Sequence, residues 1–125
     1  MDPKETTDDA FLGGALRILQ PKAGFRAGMD SLLLAASIDG RGHVLDVGAG
    51  VGVVGLALAR RVAEAEVVLV ERDPHLLELA RANIARNGLV GTCRCQLVRS
   101  VVRNSVALSI VRVRRTRSRV FLDPN

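Results

Sequence analysis

The 125-residue chain contains no Trp and no Tyr, and aromatic residues make up only 2% of it. This composition excludes proteins that bind single-stranded nucleic acid by stacking its bases on aromatic side chains. Two cysteines, Cys93 and Cys95, are too few for a disulfide framework or a four-ligand zinc site, so we predict a reducing, cytoplasmic setting and no bound metal. Charged residues interrupt every apolar run before the ~18 residues that a membrane span needs, so no membrane partner is expected.

Acidic residues are almost absent from the C-terminal part of the chain. Residues 90–125 contain eight Arg and one acid, Asp123, whereas residues 1–89 contain ten Lys and Arg against twelve Asp and Glu. The net charge of +5 therefore comes from this tail. Two interpretations stay open: a basic arm that neutralises RNA phosphates, or an out-of-frame translation. The abrupt loss of acids and the excess of Arg, Ser and Val favour the second interpretation.

The order of the predicted elements is that of an α/β domain. The first nine residues are polar and are expected to fray. Apolar runs between glycines predict buried parallel strands over residues 43–47 and 67–70. Capping and turn residues predict three helices, over residues 31–38 with Asp30 and Ser31 as the cap, over 53–62, and from the Asp73-Pro74 cap to Asn87-Gly88. Weaker strand patterns lie at residues 16–18, 96–102 and 106–113. The whole predicts a doubly wound, mostly parallel sheet.

A glycine-rich loop joins the first buried strand to the helix that follows it, with the sequence Asp46-Val47-Gly48-Ala49-Gly50-Val51-Gly52. Glycines allow a sharp turn and a close approach of the backbone to a ligand, and the helix N-terminus presents free N–H groups. Glu71 ends the second strand, where a carboxylate can accept hydrogen bonds from both hydroxyls of a cofactor ribose. Loop and acid together predict a nucleotide-like cofactor site; the alternative is a tight turn without a ligand.

The spacing of the glycines in the loop distinguishes two classes of cofactor. Counted from Gly48, the dinucleotide pattern G-x-G-x-x-G requires a small residue at the position of Val53. Counted from Gly50, the pattern fits, but it then begins further from the end of the strand than is usual. With Asp46, the loop reads D-x-G-x-G-x-G, which resembles the first motif of class I S-adenosylmethionine (SAM) methyltransferases. SAM carries an ammonium and a sulfonium and no pyrophosphate, so an acid at the strand tip favours it. An NAD(P)-binding oxidoreductase remains the alternative.

The resemblance extends to the segments FLGGALRILQPKAGFRAGMDSLLLAA, HVLDVGAGVG, VLVERDP and ARANIARNGL, from about Asp9 to Leu89. They resemble the methyltransferase small domain group, close to bacterial valine-tRNA adenine-N6 methyltransferases. The resemblance implies a Rossmann-like class I methyltransferase fold, SAM as cofactor and RNA, specifically tRNA, as partner. It implies cofactor contacts from Arg26, Gly28 and Asp30 near the methionine end, from Asp46, Gly48, Ala49, Gly50 and Gly52 in the loop, from Glu71 at the ribose, and from Arg72 and Asp73 beside the adenine. Taken without the resemblance, Asp30 is a helix cap and Arg26 a surface arginine.

One motif of these N6-amino methylases does not occur in the 125 residues. The string Asn-Pro-Pro-aromatic, which holds the target amino group in that family, is absent, and Asp123-Pro124-Asn125 lacks its second proline and its aromatic ring. We therefore predict a truncated, catalytically impaired domain in three parts: a cofactor-capping segment (1–42), a SAM-binding Rossmann half (43–89) and the basic tail (90–125). A non-enzymatic RNA-binding remnant is the alternative from another functional class.

Overall fold

The computed structural model describes residues 5–24, 26–98 and 110–113, and for the last of these the course of the backbone alone. A two-stranded hairpin precedes a four-stranded sheet with its connecting helices. The elements are β1 (Thr6–Phe11), β2 (Leu16–Pro21), α1 (Met29–Ala36), β3 (Gly42–Val47), α2 (Val53–Arg61), β4 (Ala65–Glu71), α3 (Pro74–Arg86), β5 (Cys93–Leu97) and β6 (Ile110–Val113). In the described ranges, no helix has the length and apolar character to cross a membrane.

The four-stranded sheet has the order β5-β4-β3-β6. β3 pairs with β4 and β4 with β5 in parallel, while β6 pairs with β3 in the antiparallel sense. The predicted mostly parallel α/β sheet is thereby confirmed, with one antiparallel edge strand. Because β3 and β4 are parallel and in register, Val47 opposite Val70, the loops that follow them emerge side by side.

The core lies between one face of this sheet and the helices packed on it. Val44, Val67 and Leu69 belong to this core and are almost fully buried, together with Leu56 and Ala80 of the helices. α2 approaches the sheet so closely that a Cβ on Gly55 would lie 2.4 Å from Leu69 Cδ2. Only a glycine at this position allows α2 to pack this closely on the sheet. This close packing explains why α2 contains a glycine, although glycine weakens a helix.

The first strand corrects the prediction of fraying for residues 6–9, while residues 1–4 lie outside the described residues. β1 pairs with β2 along its whole length, and Leu16 and Ile18 of β2 are completely buried, so the predicted strand at 16–18 is confirmed and continues to Pro21. The polar sequence of β1 is stabilised by distant cations, because Asp8 forms ion pairs with both Arg17 and Arg86. Local polarity predicts fraying only where such partners are lacking.

Two further boundaries differ from the prediction. α1 begins at Met29 after an N-cap at Gly28 that makes no side-chain hydrogen bond, so Asp30 lies in its first turn and Ser31 is buried inside it. The predicted cap at α3 is confirmed, since the Asp73 carboxylate accepts from the backbone N–H groups of the following turn. β5 lies inside the segment predicted as a basic tail, beginning three residues before the predicted strand at 96–102. Residues 99–102 of that strand and 106–109 of the next lie outside the described residues, and residues 110–113 of the next are found as β6.

Candidate cofactor site

The loop after β3 is held by backbone hydrogen bonds to the neighbouring strand. Gly48 N and Ala49 N both donate to Val70 O, at 2.8 and 3.0 Å. Gly50 and Gly52 have φ angles of +57° and +96°, a region that L side chains rarely adopt. The glycines that the motif predicted thus serve a left-handed turn, which delivers the chain directly into the N-terminus of α2.

The Glu71 carboxylate joins this loop to the loop after β4. Its Oε2 accepts from Gly50 N at 2.7 Å, and its Oε1 accepts from Arg72 N at 2.8 Å and Asp73 N at 3.0 Å. The side chain is buried, so these charge-assisted hydrogen bonds are shielded from water. Glu71 therefore fixes the relative position of the two loops at the carboxyl edge of the sheet.

Asp46 is the most deeply buried acid of the site, with 1% of its surface exposed. Its Oδ2 accepts from Gly55 N at 3.1 Å. Burial raises the pKa of Asp46 to about 7, the nearby negative charge of Glu71 acts in the same direction, and the hydrogen bond from Gly55 opposes both. A cation placed beside this carboxyl would favour its ionised form.

A cavity of about 820 Å³ opens above the glycine loop. The loop forms its floor, and the hairpin, the start of α1 and the start of α3 form its walls. Five acids line it, namely Glu5, Asp30, Asp46, Asp73 and Glu78. Among the described residues that line it there is no Lys and no Arg. The cavity is therefore a site of negative potential that favours a ligand with positive charge.

Six of the predicted site residues line this cavity: Asp30, Asp46, Gly48, Ala49, Gly50 and Asp73. Glu71 contacts the loop through its hydrogen bond with Gly50 N, and Gly52 is the N-cap of α2. Gly28 is the N-cap of α1, and the side chain of Arg72 is exposed.

The Arg26 guanidinium is bound to the hairpin. It donates to Pro21 O at 2.6 Å and to Asp9 Oδ2 at 2.8 Å. The structure therefore places the loop residues together and holds Arg26 against the wall of the cavity.

Sequence reasoning missed several residues of the site, Gln20 above all. Gln20 lines the cavity with 2% of its surface exposed; its Nε2 donates to Asp9 Oδ2 at 2.8 Å and its Oε1 accepts from Ala27 N at 3.0 Å. It thereby ties the segment before α1 to the hairpin. The only signal in the sequence was its alternation with the buried Leu16 and Ile18 along β2.

Comparison with known proteins decides the family of this chain. The family model described as methyltransferase small domain matches residues 25–111, more than half of the chain. The chain belongs to this family. The match extends beyond Leu89, the last residue of the segments that carry the resemblance, and it includes β5 and the first residues of β6.

Curated relatives of this methyltransferase small domain are RNA methyltransferases by name. It is 44% identical over 61 residues to the ribosomal RNA small subunit methyltransferase C of Ectopseudomonas mendocina, covering 47% of this chain and 18% of that protein. It is 40% identical over 83 residues to the tRNA1(Val) (adenine(37)-N6)-methyltransferase of Porphyromonas gingivalis, covering 62% of this chain and 32% of that protein. The chain thus spans less than a third of the length of these two relatives.

Solved structures confirm the class I methyltransferase fold of this small domain. The M. jannaschii tRNA m1G37 methyltransferase superposes with a TM-score of 0.65 at 22% identity, over 78% of this chain and 31% of that one. P. horikoshii TYW2 in complex with MeSAdo superposes with a TM-score of 0.64 at 19% identity, over 78% of this chain and 37% of that one.

Proposed function

We propose that this domain binds S-adenosylmethionine for the methylation of RNA, with the N6 amino group of an adenine in tRNA as the acceptor. The observation that carries the proposal is the acid-lined cavity directly above the glycine loop. The ammonium and the sulfonium of SAM are favoured there, whereas the pyrophosphate of a dinucleotide would be repelled by Asp46 and Asp73. SAM therefore fits the residues present better than NAD(P).

The chain's own residues would hold the cofactor in two ways. The loop from Gly48 to Gly50 provides a surface on which the methyl group of Ala49 is the largest side chain, so a ligand can lie closely against its backbone. Asp30 and Asp73 line the cavity with negative charge, and a cationic ligand would favour the ionised form of Asp46 beside them. When bound, SAM supplies an electrophilic methyl group on its sulfonium. The domain's contribution to the reaction is then proximity and orientation of that methyl group.

RNA as the substrate is supported by the names of the relatives, which act on ribosomal RNA or tRNA. We favour the adenine amino group of tRNA because that alignment covers 62% of this chain, against 47% for the ribosomal RNA enzyme. An RNA substrate also agrees with the cytoplasmic setting predicted above. Since the 125 residues contain no Asn-Pro-Pro-aromatic string, we expect them to bind SAM but to transfer its methyl group weakly or not at all by themselves.

Calorimetric titration of the purified chain tests the cofactor. We expect S-adenosylhomocysteine to bind and NAD⁺ and NADP⁺ not to bind. Gly50→Asp would place a carboxylate on the floor of the cavity and reduce the affinity at least about tenfold. Gly88→Asp is the matched control, because Gly88 has a similar φ of +67° and equally open surroundings after α3. Binding of a nicotinamide cofactor in preference to S-adenosylhomocysteine would overturn the proposal, as would unchanged affinity in Gly50→Asp.

The substrate is tested with radiolabelled SAM and separate preparations of tRNA and ribosomal RNA. The proposal expects any transfer that occurs to place the label on adenine N6 of tRNA. Label on ribosomal RNA alone would overturn the proposal that tRNA is the methyl acceptor. Binding of RNA that weakens steeply with salt, without any uptake of S-adenosylhomocysteine, would favour the non-enzymatic remnant.

A further inference from the structure

Asn83 of α3 and Asn87, the C-cap of that helix, pair with the edge of β2 that β1 leaves free. Asn83 Oδ1 accepts from Leu19 N at 2.8 Å and Asn83 Nδ2 donates to Leu19 O at 3.1 Å. Asn87 Oδ1 accepts from Arg17 N at 2.9 Å and Asn87 Nδ2 donates to Arg17 O at 2.8 Å. Each side-chain amide therefore makes the two backbone hydrogen bonds that a residue of a neighbouring strand would otherwise make with β2.

The repeat distances of helix and strand make this pairing possible. Four residues along a helix advance by about 6 Å, and two residues along a strand advance by about 6.7 Å. Asn83 therefore reaches Leu19, and Asn87 reaches Arg17. The backbone groups of these two alternate residues of β2 face α3. The pairing protects a strand edge that would otherwise expose its N–H and C=O groups.

Asn83 differs from Asn87 in the second hydrogen bond of its amide. Asn83 Nδ2 also donates to Val51 O at 3.0 Å, whereas Asn87 Nδ2 donates to Asn83 O, within its own helix, at 2.7 Å. Val51 belongs to the glycine loop and lines the cavity. Asn83 is completely buried, so water cannot replace it as a partner of Val51.

Through these bonds, Asn83 holds two parts of the cavity in a fixed relation. Leu19, its partner on β2, immediately precedes Gln20 and Pro21, which line the wall. Val51, its partner in the loop, belongs to the floor. A single side chain thus sets the distance between the hairpin wall and the glycine loop.

We propose that Asn83 is a positioning residue of the cofactor site, which determines cofactor affinity by fixing the glycine loop against the hairpin. This rests on the proposed function. Asn83 contributes no atom to the cavity surface, so it acts through Val51 and the hairpin residues. Asn87 anchors the same strand from the same helix, and it serves the stability of the fold alone.

The pair Asn83→Asp and Asn87→Asp tests this proposal. Aspartate keeps the acceptor oxygens but removes both amide donors, so each variant loses two donated hydrogen bonds at a closely similar place. We expect both variants to unfold at lower urea concentrations than the wild type. Asn83→Asp should also raise the Kd for S-adenosylhomocysteine by about tenfold or more, while Asn87→Asp should change it by less than about twofold.

The outcomes distinguish the two proposals. If the wild-type chain does not bind S-adenosylhomocysteine, the proposed function fails. If the wild type binds and both variants lose affinity in proportion to their stability, only the positioning role of Asn83 is overturned. Unchanged affinity in Asn83→Asp overturns it as well.

Hydrogen exchange in the wild type provides a test without variants, for the case that Asn83→Asp does not fold. Leu19 N–H is bound by Asn83 and Arg17 N–H by Asn87. Ligand binding that tightens the loop through Val51 should slow exchange of the Leu19 amide more than that of the Arg17 amide. Equal slowing at both amides would contradict the proposal.

Discussion

The backbone N–H of Gly50 donates to the carboxylate of Glu71 at 2.7 Å, across 21 residues of sequence. The bond crosses from the loop after β3 to the end of β4, so the tip of the glycine loop is held by a charge from another strand. An acid at this place therefore has a structural role that does not depend on a ligand. Its removal should disturb the loop before any cofactor is present.

Glu71→Ala should lower both stability and cofactor affinity. The substitution leaves the N–H groups of Gly50, Arg72 and Asp73 without their acceptor, at a cost of about 2 kcal/mol in the free energy of unfolding. Urea unfolding measures that loss, and titration with S-adenosylhomocysteine measures the affinity. Glu66→Ala is the control on the same strand, because Glu66 is exposed and forms an ion pair with an exposed His43. A stability loss in Glu66→Ala equal to that in Glu71→Ala would contradict this account.

The buried carboxyl of Asp46 should make stability depend on pH. Burial raises its pKa from 3.8 to about 7, so in this interval the native state binds a proton that the unfolded chain has released. The contribution of Asp46 to stability is therefore complete below the unfolded pKa and is lost as the pH rises through the native pKa. We expect wild-type stability to fall, relative to Asp46→Asn, by about 2–3 kcal/mol between about pH 5 and about pH 8.

The comparison with Asp46→Asn isolates this carboxyl, since all other titrating groups are the same in both proteins. The amide oxygen of Asn can still accept from Gly55 N, which keeps the helix in place. Urea unfolding of both proteins at the two pH values provides the measurement. Parallel stability curves for the two proteins would show that Asp46 does not titrate in this interval.

Gly55→Ala should destabilise the domain although alanine favours helices. Helix propensity gains about 1 kcal/mol, while overpacking costs about 1–3 kcal/mol. The added Cβ would lie 2.4 Å from Leu69 Cδ2 and 3.1 Å from Asp46 Oδ2, so we expect the cost to dominate. Thermal unfolding should show a lower Tm, with Gly91→Ala, which adds its Cβ in open space, close to the wild type. A Tm at or above the wild-type value would mean that α2 can shift without loss.

The two cysteines should differ in their reaction with an alkylating reagent. Burial raises the pKa of Cys93 to about 12 and also raises that of Cys95, which is less buried. Since the thiolate is the reactive form, Cys95 should be labelled first and Cys93 only when the structure opens. Mass spectrometry of Cys93→Ser and Cys95→Ser resolves the two rates. Equal rates in the native state would place Cys93 outside the core.

The parts of the structure that local sequence encodes could be predicted well. The Asp73-Pro74 cap and the glycine loop after β3 are complete within a few residues, and both are found where the pattern put them. Family membership then supports the class of cofactor. The predicted contacts of Arg26, Gly28 and Arg72 with that cofactor remain predictions.

The parts that depend on distant partners could not be predicted. The sequence of β1 predicts a frayed polar segment, because nothing near Asp8 in the sequence shows that it will form ion pairs with Arg17 and Arg86. Asn83 reads as an ordinary polar residue of a helix, since its partners Leu19 and Val51 belong to other elements. A hydrophobic pattern records which residues are buried, but not which polar groups meet inside.

Arg60 and Arg61 end α2 and reach two other helix ends. Arg60 Nη2 donates to Asn87 O at 2.7 Å, and Arg61 Nη2 donates to Ala35 O at 2.9 Å and to Ile38 O. Helix carboxyl ends each carry about half a negative charge, so the fields of these two guanidinium groups are partly cancelled where they lie. A polyanion approaching residues 26–98 therefore experiences less attraction than a count of arginines suggests, and long-range steering of such a ligand depends on the remaining cations.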